Sequence, residues 1–239
     1  MKTQACQSYT LRFLIAMSLA ALVLVLLVMI FPPITNMDLY LQKQLIGTAF
    51  VALCVGGIMA SLLPGKCTSL SEARISRPIS ELDARSLPAP TVKGHHPNCG
   101  RFSDHTVQFR GTVYCAACLG LAAGSLVALA VTAPYFFLGV GFSQFNVPAI
   151  VLGESGVLIG FIQTKFKGLF RLLANLLFVV GGSLIIVGMD EYAKSLFVDL
   201  FLVGAVFLWI FARIALSQED HHRICASCGF SCRMERKGS

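Results

Sequence analysis

The sequence predicts an all-α fold: a polytopic membrane helix bundle of about six transmembrane helices with a small cytoplasmic cap rich in cysteine and histidine. Three observations support this prediction. Hydrophobic residues make up 56% of the chain and charged residues only 13%, whereas about a quarter of the residues in soluble domains are charged. Several apolar stretches reach the roughly 20 residues that a helix needs to cross a hydrocarbon core. Nearly all basic residues also fall on one side of the resulting arrangement.

The first three predicted helices each end at a proline, which cannot continue a helix because it lacks a backbone N–H. These helices cover residues 11–31, 44–63 and 113–132, and the prolines that follow them are Pro32, Pro64 and Pro134. The first apolar run is longer than the core of a secretory signal, and no A-x-A cleavage site follows it. We therefore predict that it is retained as a transmembrane helix.

The last three predicted helices cover residues 147–163, 169–189 and 196–215. The fourth of the six is the shortest and is rich in glycine. Because backbone groups in lipid must be satisfied internally, these long, uniformly apolar spans favour helices over barrel strands. The predicted organisation is helices one and two in 1–64, a linker and Cys/His loop in 65–112, helices three to six in 113–216, and a tail in 217–239.

The basic residues predict the orientation of the chain. Six spans place both termini, the long loop and the tail on one side, and that side carries 17 of the 19 lysines and arginines, leaving Lys43 and Lys194 on the other. An excess of Lys and Arg marks the cytoplasmic side of a membrane protein. We therefore predict a multi-pass protein of the cell membrane with both termini in the cytoplasm.

The net charge of +7 does not indicate nucleic-acid binding. The basic residues are spread over all the predicted cytoplasmic segments, as orientation and contact with anionic lipid require, and no aromatic-interleaved basic patch is present. The chain also lacks a phosphate-binding loop, a nucleophile elbow, an H-E-x-x-H motif and a dinucleotide fingerprint. The expected partners are the lipid bilayer and other subunits of a membrane complex.

Cysteine and histidine are concentrated in two windows, 95–118 and 221–232. These windows contain six of the nine cysteines and all five histidines. Thiolate and imidazole are the ligands that suit tetrahedral zinc, and a two-residue spacing allows a cysteine pair to close on one ion. The candidate metal ligands are His95, His96, Cys99, His105, Cys115, Cys118, His221, His222, Cys225, Cys228 and Cys232.

The ligands allow either two metal sites or one. Two sites would use Cys99, His105, Cys115 and Cys118 in the loop, and His221 or His222 with Cys225, Cys228 and Cys232 in the tail. One composite site would join the loop to the tail. Zinc is the expected metal, and an iron–sulfur cluster held by Cys225, Cys228 and Cys232 is the alternative cofactor.

Thiol redox chemistry is a further alternative for the first cysteine pair. Cys115 and Cys118 open the third predicted helix, where the helix dipole favours thiolates. The charge distribution places this pair on the reducing side of the membrane, which also disfavours structural disulfides.

Several polar residues fall within or beside the apolar spans. Glu154 lies in the middle of the fourth helix, where an acidic residue faces the bundle interior or water; it is either a functional proton or cation site or a protonated residue hydrogen-bonded to Asn175. We expect Asp190 and Glu191 to form a solvated turn, and Asp199 to pair with Lys194 or to be hydrated. The small-residue pairs Gly120–Gly124 and Gly156–Gly160 predict that helices three and four pack together.

Residues 95–124 contain the segment His95-His96-Pro97-Asn98-Cys99, then Phe102 and His105, then Cys115-Ala116-Ala117-Cys118-Leu119-Gly120 and Gly124. This pattern resembles the signature of a group of uncharacterised prokaryotic, largely archaeal, membrane proteins that combine an H-x-P-like or C-H motif with C-A-x-C-x-G at the start of a membrane helix. The resemblance implies a multi-helix membrane protein with a metal or redox motif, and it implies no reaction. The Cys/His tail sets this chain apart from many of that group.

Three functional hypotheses follow from the sequence. The first is a scaffold or complex subunit with a cytoplasmic metal-binding cap, because ligands are abundant and catalytic partners are absent. The second is a membrane thiol or quinone oxidoreductase that uses Cys115 and Cys118. The third is a small transporter centred on Glu154.

Overall fold

A computed structural model describes residues 2–33, 40–63, 92–93, 100–141 and 143–226. The described chain is an all-α polytopic bundle, as predicted. Its six helices are α1 (Lys2–Ile30), α2 (Tyr40–Leu62), α3 (Ala116–Leu138), α4 (Asn146–Phe161), α5 (Gly168–Ala193) and α6 (Leu196–Ala226). Short 3-10 turns lie at Gly100–His105 and Gln163–Lys165.

Five of these helices, α1, α2, α3, α5 and α6, are long and apolar enough to cross a membrane. The fourth helix, α4, has 16 residues and a length of about 24 Å at 1.5 Å per residue, so it is shorter than a straight membrane-spanning helix. The chain is therefore a multi-pass membrane protein. All six predicted helices are present in the described chain and the fourth is the shortest, as expected, but only five of the predicted six are long enough to span a membrane.

A small three-stranded sheet precedes α3. Its strands are β1 (Val92–Lys93), β2 (Thr106–Phe109) and β3 (Thr112–Cys115), in the order β1-β3-β2. The antiparallel β2–β3 pair is joined by Arg110-Gly111, both with positive φ, which is the backbone of a two-residue hairpin turn. Residues 113–115 were predicted as the start of the third helix, but they belong to β3.

Polar contacts define two ends of the bundle. At the hairpin end, α5 begins and α6 ends, and Arg171 of α5 contacts Asp220 of α6. At the opposite end, α5 ends and α6 begins, and Gln42 near the start of α2 contacts Asp199. Met29 of α1 accepts a hydrogen bond there from Tyr192. Both the first and the last described helix therefore have their outer termini at the hairpin end.

The central helix of the bundle is α5, and glycines allow its neighbours to approach closely. Gly120 of α3 lies against the carbonyl oxygen of Leu172, and Gly156 of α4 lies against Leu177 and Gly181, all on α5. The predicted use of these glycines for close packing is confirmed. The predicted partner was wrong, because α3 and α4 each use their glycines to pack on α5.

Two helix ends differ from the predictions. The third helix does not stop before Pro134 but continues to Leu138, where Gly139 adopts the left-handed conformation and its N–H bonds to the Pro134 carbonyl. Membrane helices tolerate proline because neighbouring helices, Ser and Thr side chains and local changes in helix geometry satisfy the backbone groups that it frees. The sixth helix continues past Ala215 to Ala226, because its polar last turns form contacts that hydropathy does not register, including a 3.1 Å Glu219–Arg223 ion pair.

Candidate functional site

The β2–β3 hairpin leads directly into α3, and two cysteines lie at this junction. Cys115 is the last residue of β3, where it pairs with Thr106, and it is also the N-cap of α3. Cys118 lies in the first turn of the helix. Cys115 is completely buried and Cys118 is partly buried. Residues three apart lie on the same face of a helix, so the two thiols are neighbours at the hairpin end.

A buried arginine faces these thiols. The side chain of Arg213, on α6, is close enough to Cys118 and Cys115 to interact electrostatically with both. Its Nε donates a 2.8 Å hydrogen bond to the amide oxygen of Asn175, and its Nη2 donates to the same oxygen. Only 8% of Arg213 is exposed, so its positive charge lies among a neutral amide and two thiols.

A second buried arginine connects the loop before β2 to the last turns of α6. Arg171, which is 1% exposed, has its Nη1 2.9 Å from Nε2 of His105 and its Nη2 3.1 Å from the Asp220 carboxylate. A guanidinium can only donate hydrogen bonds, so Nε2 of His105 is the acceptor and that nitrogen is already used. His105 Nε2 also lies 3.6 Å from Asp220.

Aromatic contacts bring the loop and the far end of α6 together. Phe102 packs edge-on against His105, with 5.3 Å between the ring centroids, and edge-on against His221 at 5.5 Å. The rings of His105 and His221 are 5.9 Å apart. His222 is exposed. The structure therefore places the first part of the predicted tail directly against the predicted loop.

The candidate ligands divide into three groups. His105, Cys115, Cys118 and His221 lie together at the hairpin end, and His222 is exposed on α6 nearby. Cys225 is in the last turn of α6. The remaining candidates, His95, His96, Cys99, Cys228 and Cys232, lie outside the described residues. Across the segments that the structure does describe, no three His, Cys, Asp or Glu side chains form a group that could hold a metal ion.

Comparison with known proteins does not extend this description. No protein-family model, curated protein or solved structure matches the chain. The function of the site is therefore inferred from the chemistry of its own residues.

The two intramembrane polar candidates, Asn175 and Glu154, have different hydrogen-bond environments. Asn175 donates from its amide to the Arg171 carbonyl at 2.6 Å and accepts from Arg213, so its hydrogen bonds in the described structure go to the two arginines. Glu154 is buried at 7% exposure. Its Oε1 has no hydrogen-bond partner within the described part of the chain.

Sequence reasoning missed three residues of the site: Arg171, Arg213 and Asp220. Both arginines were used only to predict orientation, because basic residues beside membrane spans usually have that explanation. The available signal was position, since Arg213 lies inside the apolar run of the sixth helix. Asp220 gave no comparable signal, because an acidic residue after a span is ordinarily solvated.

The assembled site places two thiols at a helix N-terminus and near a buried cation. A helix N-terminus and a nearby arginine both favour the thiolate form of cysteine. Two thiolates separated by two residues provide half of a tetrahedral zinc coordination shell. The same pair is also suited to reversible thiol oxidation. Cys115 and Cys118 are thus the described residues best suited to hold a metal.

Proposed function

We propose that the hairpin end carries a zinc-class metal centre built on Cys115 and Cys118, and that this centre stabilises a cap on the cytoplasmic side of a multi-pass membrane protein. One observation carries the proposal: Cys115 caps the start of α3 and Cys118 lies in its first turn, both at least partly buried. In this role the protein acts as a scaffold or a subunit of a membrane complex.

Charge balance supports a metal at this position. Zinc is bound by thiolates, so its ligands must lose their protons. A site with three or four thiolates and one Zn²⁺ carries a net negative charge, and a buried guanidinium stabilises that charge. If both thiols stayed neutral, the described partners of the Arg213 charge would include the neutral Asn175 amide and the Phe178 ring, and neither carries a negative charge. Removing compensation from a buried charge is strongly unfavourable.

Described residues that neighbour the other candidate ligands in sequence lie close to the start of α3 or to the loop. Lys93 in β1 pairs with Tyr114 in β3, so the segment that contains His95, His96 and Cys99 begins one strand away from Cys115. The contact between Phe102 and His221 similarly brings the start of the tail to the loop. These two contacts favour one composite site over two separate sites. His105 is the weaker ligand candidate because its Nε2 is bonded to Arg171.

The placement of the cap in the cytoplasm is part of the proposal. The first and last described helices both have their outer termini at the hairpin end, and the basic residues of the predicted cytoplasmic segments accompany them. The cap joins the ends of α3, α5 and α6 through the contacts of Arg213 and Arg171. A metal centre there would hold the three helix ends together and present a folded surface to other subunits.

Metal analysis of protein purified without oxygen tests this proposal. We expect about one zinc per chain in the wild type, and loss of that zinc in Cys115→Ser and Cys118→Ser. Cys54→Ala is the matched control, because Cys54 is a buried cysteine of α2, and it should keep the zinc. Metal-free wild-type protein, or equal zinc in all variants, would refute the proposal. Visible absorption would indicate an iron–sulfur cluster in place of zinc.

Thiol redox is the second candidate function, favoured by the N-cap position of Cys115 and by the neighbouring Arg213. In that reaction the two thiols form a disulfide and release two protons, and two electrons pass to an oxidant such as a membrane quinone. Anaerobic protein treated with a soluble quinone should then lose two hydrogens in mass and regain them with a reductant. Thiols that remain reduced, and that react with alkylating agents only after a chelator is added, would exclude redox and favour metal.

A further inference from the structure

A second polar cluster lies at the opposite end of the bundle, remote from the thiols. It draws side chains from α2, α3, α5 and α6. Its members are Gln42, Lys43, Tyr135, Asp190, Glu191 and Asp199. The expectation that Asp190 and Glu191 form a solvated turn was wrong, since Asp190 is 2% exposed and Glu191 is largely buried.

One half of the cluster is an ion-paired group. The Tyr135 hydroxyl donates to Asp190 and lies 3.1 Å from a carboxylate oxygen of Glu191. The Lys43 ammonium lies 3.7 Å from Asp190 and 3.8 Å from Glu191. A hydroxyl has one hydrogen, so Tyr135 can donate fully to only one carboxyl group at a time. Asp190 and Glu191 therefore share this one hydroxyl donor and the Lys43 ammonium.

The other half centres on Asp199, which is fully buried. Gln42 donates a 2.7 Å hydrogen bond to its Oδ2, so the expected hydration of Asp199 was wrong. The carboxyl group of Asp199 is near enough to that of Asp190 for the two to interact electrostatically. Two carboxylates this close in an apolar environment require a cation or a proton between them. The named residues of the cluster thus include three carboxyl groups and the Lys43 ammonium.

Two buried oxygens in this half have no hydrogen-bond partner in the part of the chain that the structure describes. They are Oδ1 of Asp199 and Oε1 of Gln42, and Gln42 is only 6% exposed. Both are acceptors, and they belong to two side chains already bonded to each other. One added proton can satisfy only one of them, whereas a metal ion can be coordinated by several oxygens at once.

We propose that Asp199, Gln42 and Asp190 form a binding site for a hard metal cation, Na⁺ or Ca²⁺, between α2, α5 and α6. Carboxylate and amide oxygens are the ligands that such cations prefer, and the absence of sulfur and imidazole from the named set disfavours zinc. Lys43 lies at the edge of the site, 35% exposed, and it competes electrostatically with the bound ion.

Thermal unfolding of the detergent-solubilised full chain tests the site. NaCl, CaCl2 and MgCl2 are each compared with choline chloride at equal ionic strength. We expect Na⁺ or Ca²⁺ to raise the Tm saturably, by about 5–10 °C at 100 times the Kd, and equilibrium dialysis with the same ion to give one site per chain. The rise should be absent in Asp199→Asn. It should persist in Asp104→Asn, in which an exposed carboxylate at the other end is removed.

A second variant keeps the test decisive if Asp199→Asn does not fold. Lys43→Met removes the competing ammonium, so the same cation should bind about tenfold more tightly, whereas a purely structural lysine would leave the affinity unchanged. Wild-type protein that responds equally to all four salts would overturn the proposal and indicate a shared proton. A cation response retained in Asp199→Asn would also overturn it, because the ion would then bind elsewhere.

Discussion

Arg213 of α6 and Asn175 of α5 are joined by two hydrogen bonds in which both donors belong to the guanidinium and one amide oxygen accepts. The same asparagine donates to the backbone carbonyl of Arg171. Asn175 is fully buried, so its amide connects the two buried arginines of the hairpin end. Through Arg213 this connection reaches the thiols of Cys115 and Cys118.

We expect Asn175→Leu to be strongly destabilising, because it leaves the buried Arg213 charge without its acceptor. The loss should be about 3–5 kcal/mol in the free energy of unfolding, measured by denaturant titration in micelles. Replacing both residues, Asn175→Leu with Arg213→Met, should restore much of it, since an apolar pair leaves no buried charge. Arg223→Gln on the same helix is the control and should change little, because Arg223 is 75% exposed.

Gly120 predicts a steric effect in the contact between α3 and α5. A Cβ at this position would collide with the carbonyl oxygen of Leu172, so Gly120→Ala should destabilise the bundle by about 1–3 kcal/mol. Gly56→Ala in α2 is the matched control, because nothing lies within 4 Å of its added Cβ. It should be neutral or stabilising by up to about 1 kcal/mol. Equal effects of the two substitutions on the unfolding free energy would argue against this packing.

Two ion pairs at the hairpin end should differ in strength because they differ in burial. Asp220→Asn weakens the contact with Arg171, which is 1% exposed, and should cost about 1.5–3 kcal/mol. Asp104→Asn removes a 2.7 Å pair with Lys167 in which both side chains are more than half exposed, and it should cost under about 1 kcal/mol. A larger loss of unfolding free energy in the Asp104 variant would contradict the assignment of Arg171 as the buried anchor.

The position of α1 against α5 depends on a hydrogen bond from Tyr192 to the Met29 carbonyl at 2.9 Å. Removing the hydroxyl with Tyr192→Phe should cost about 1 kcal/mol and should increase proteolysis of α1 in native detergent conditions. Tyr9→Phe, at a position that is 72% exposed, should leave the protease cleavage rate unchanged. If both variants were cleaved like the wild type, this bond would not anchor α1.

Hydropathy predicted where the helices lie because burial in lipid requires long apolar runs. It did not predict where two of them end. Pro134 appeared to be a stop, yet the left-handed Gly139 supplies the actual cap five residues later. The sixth helix extends through polar turns because Asp220 docks on Arg171 and Glu219 pairs with Arg223. The first of these contacts joins two helices, and the second lies on the polar surface of α6. A search for long apolar runs detects neither of them.

The candidate site was predicted in part. Concentration of cysteine and histidine in two windows correctly suggested that loop and α6 terminus lie at the same end of the bundle, as the contact between Phe102 and His221 shows. The buried arginines could not be assigned to the site from the sequence, because basic residues near membrane spans are already accounted for by their role in orienting the protein. Asp190 could not be recognised as buried either, since its burial depends on Tyr135, which lies 55 residues earlier in the chain.

X-ray absorption at the zinc edge tests the central claim most directly, because it reports the atoms bound to the metal in the intact protein. We predict at least two sulfur neighbours per zinc, at about 2.3 Å. The number should be unchanged in Cys54→Ala. If Cys118→Ser still binds some zinc, that zinc should have one sulfur neighbour fewer. A spectrum with only nitrogen and oxygen neighbours, or protein that contains no zinc to measure, would contradict a metal centre built on Cys115 and Cys118.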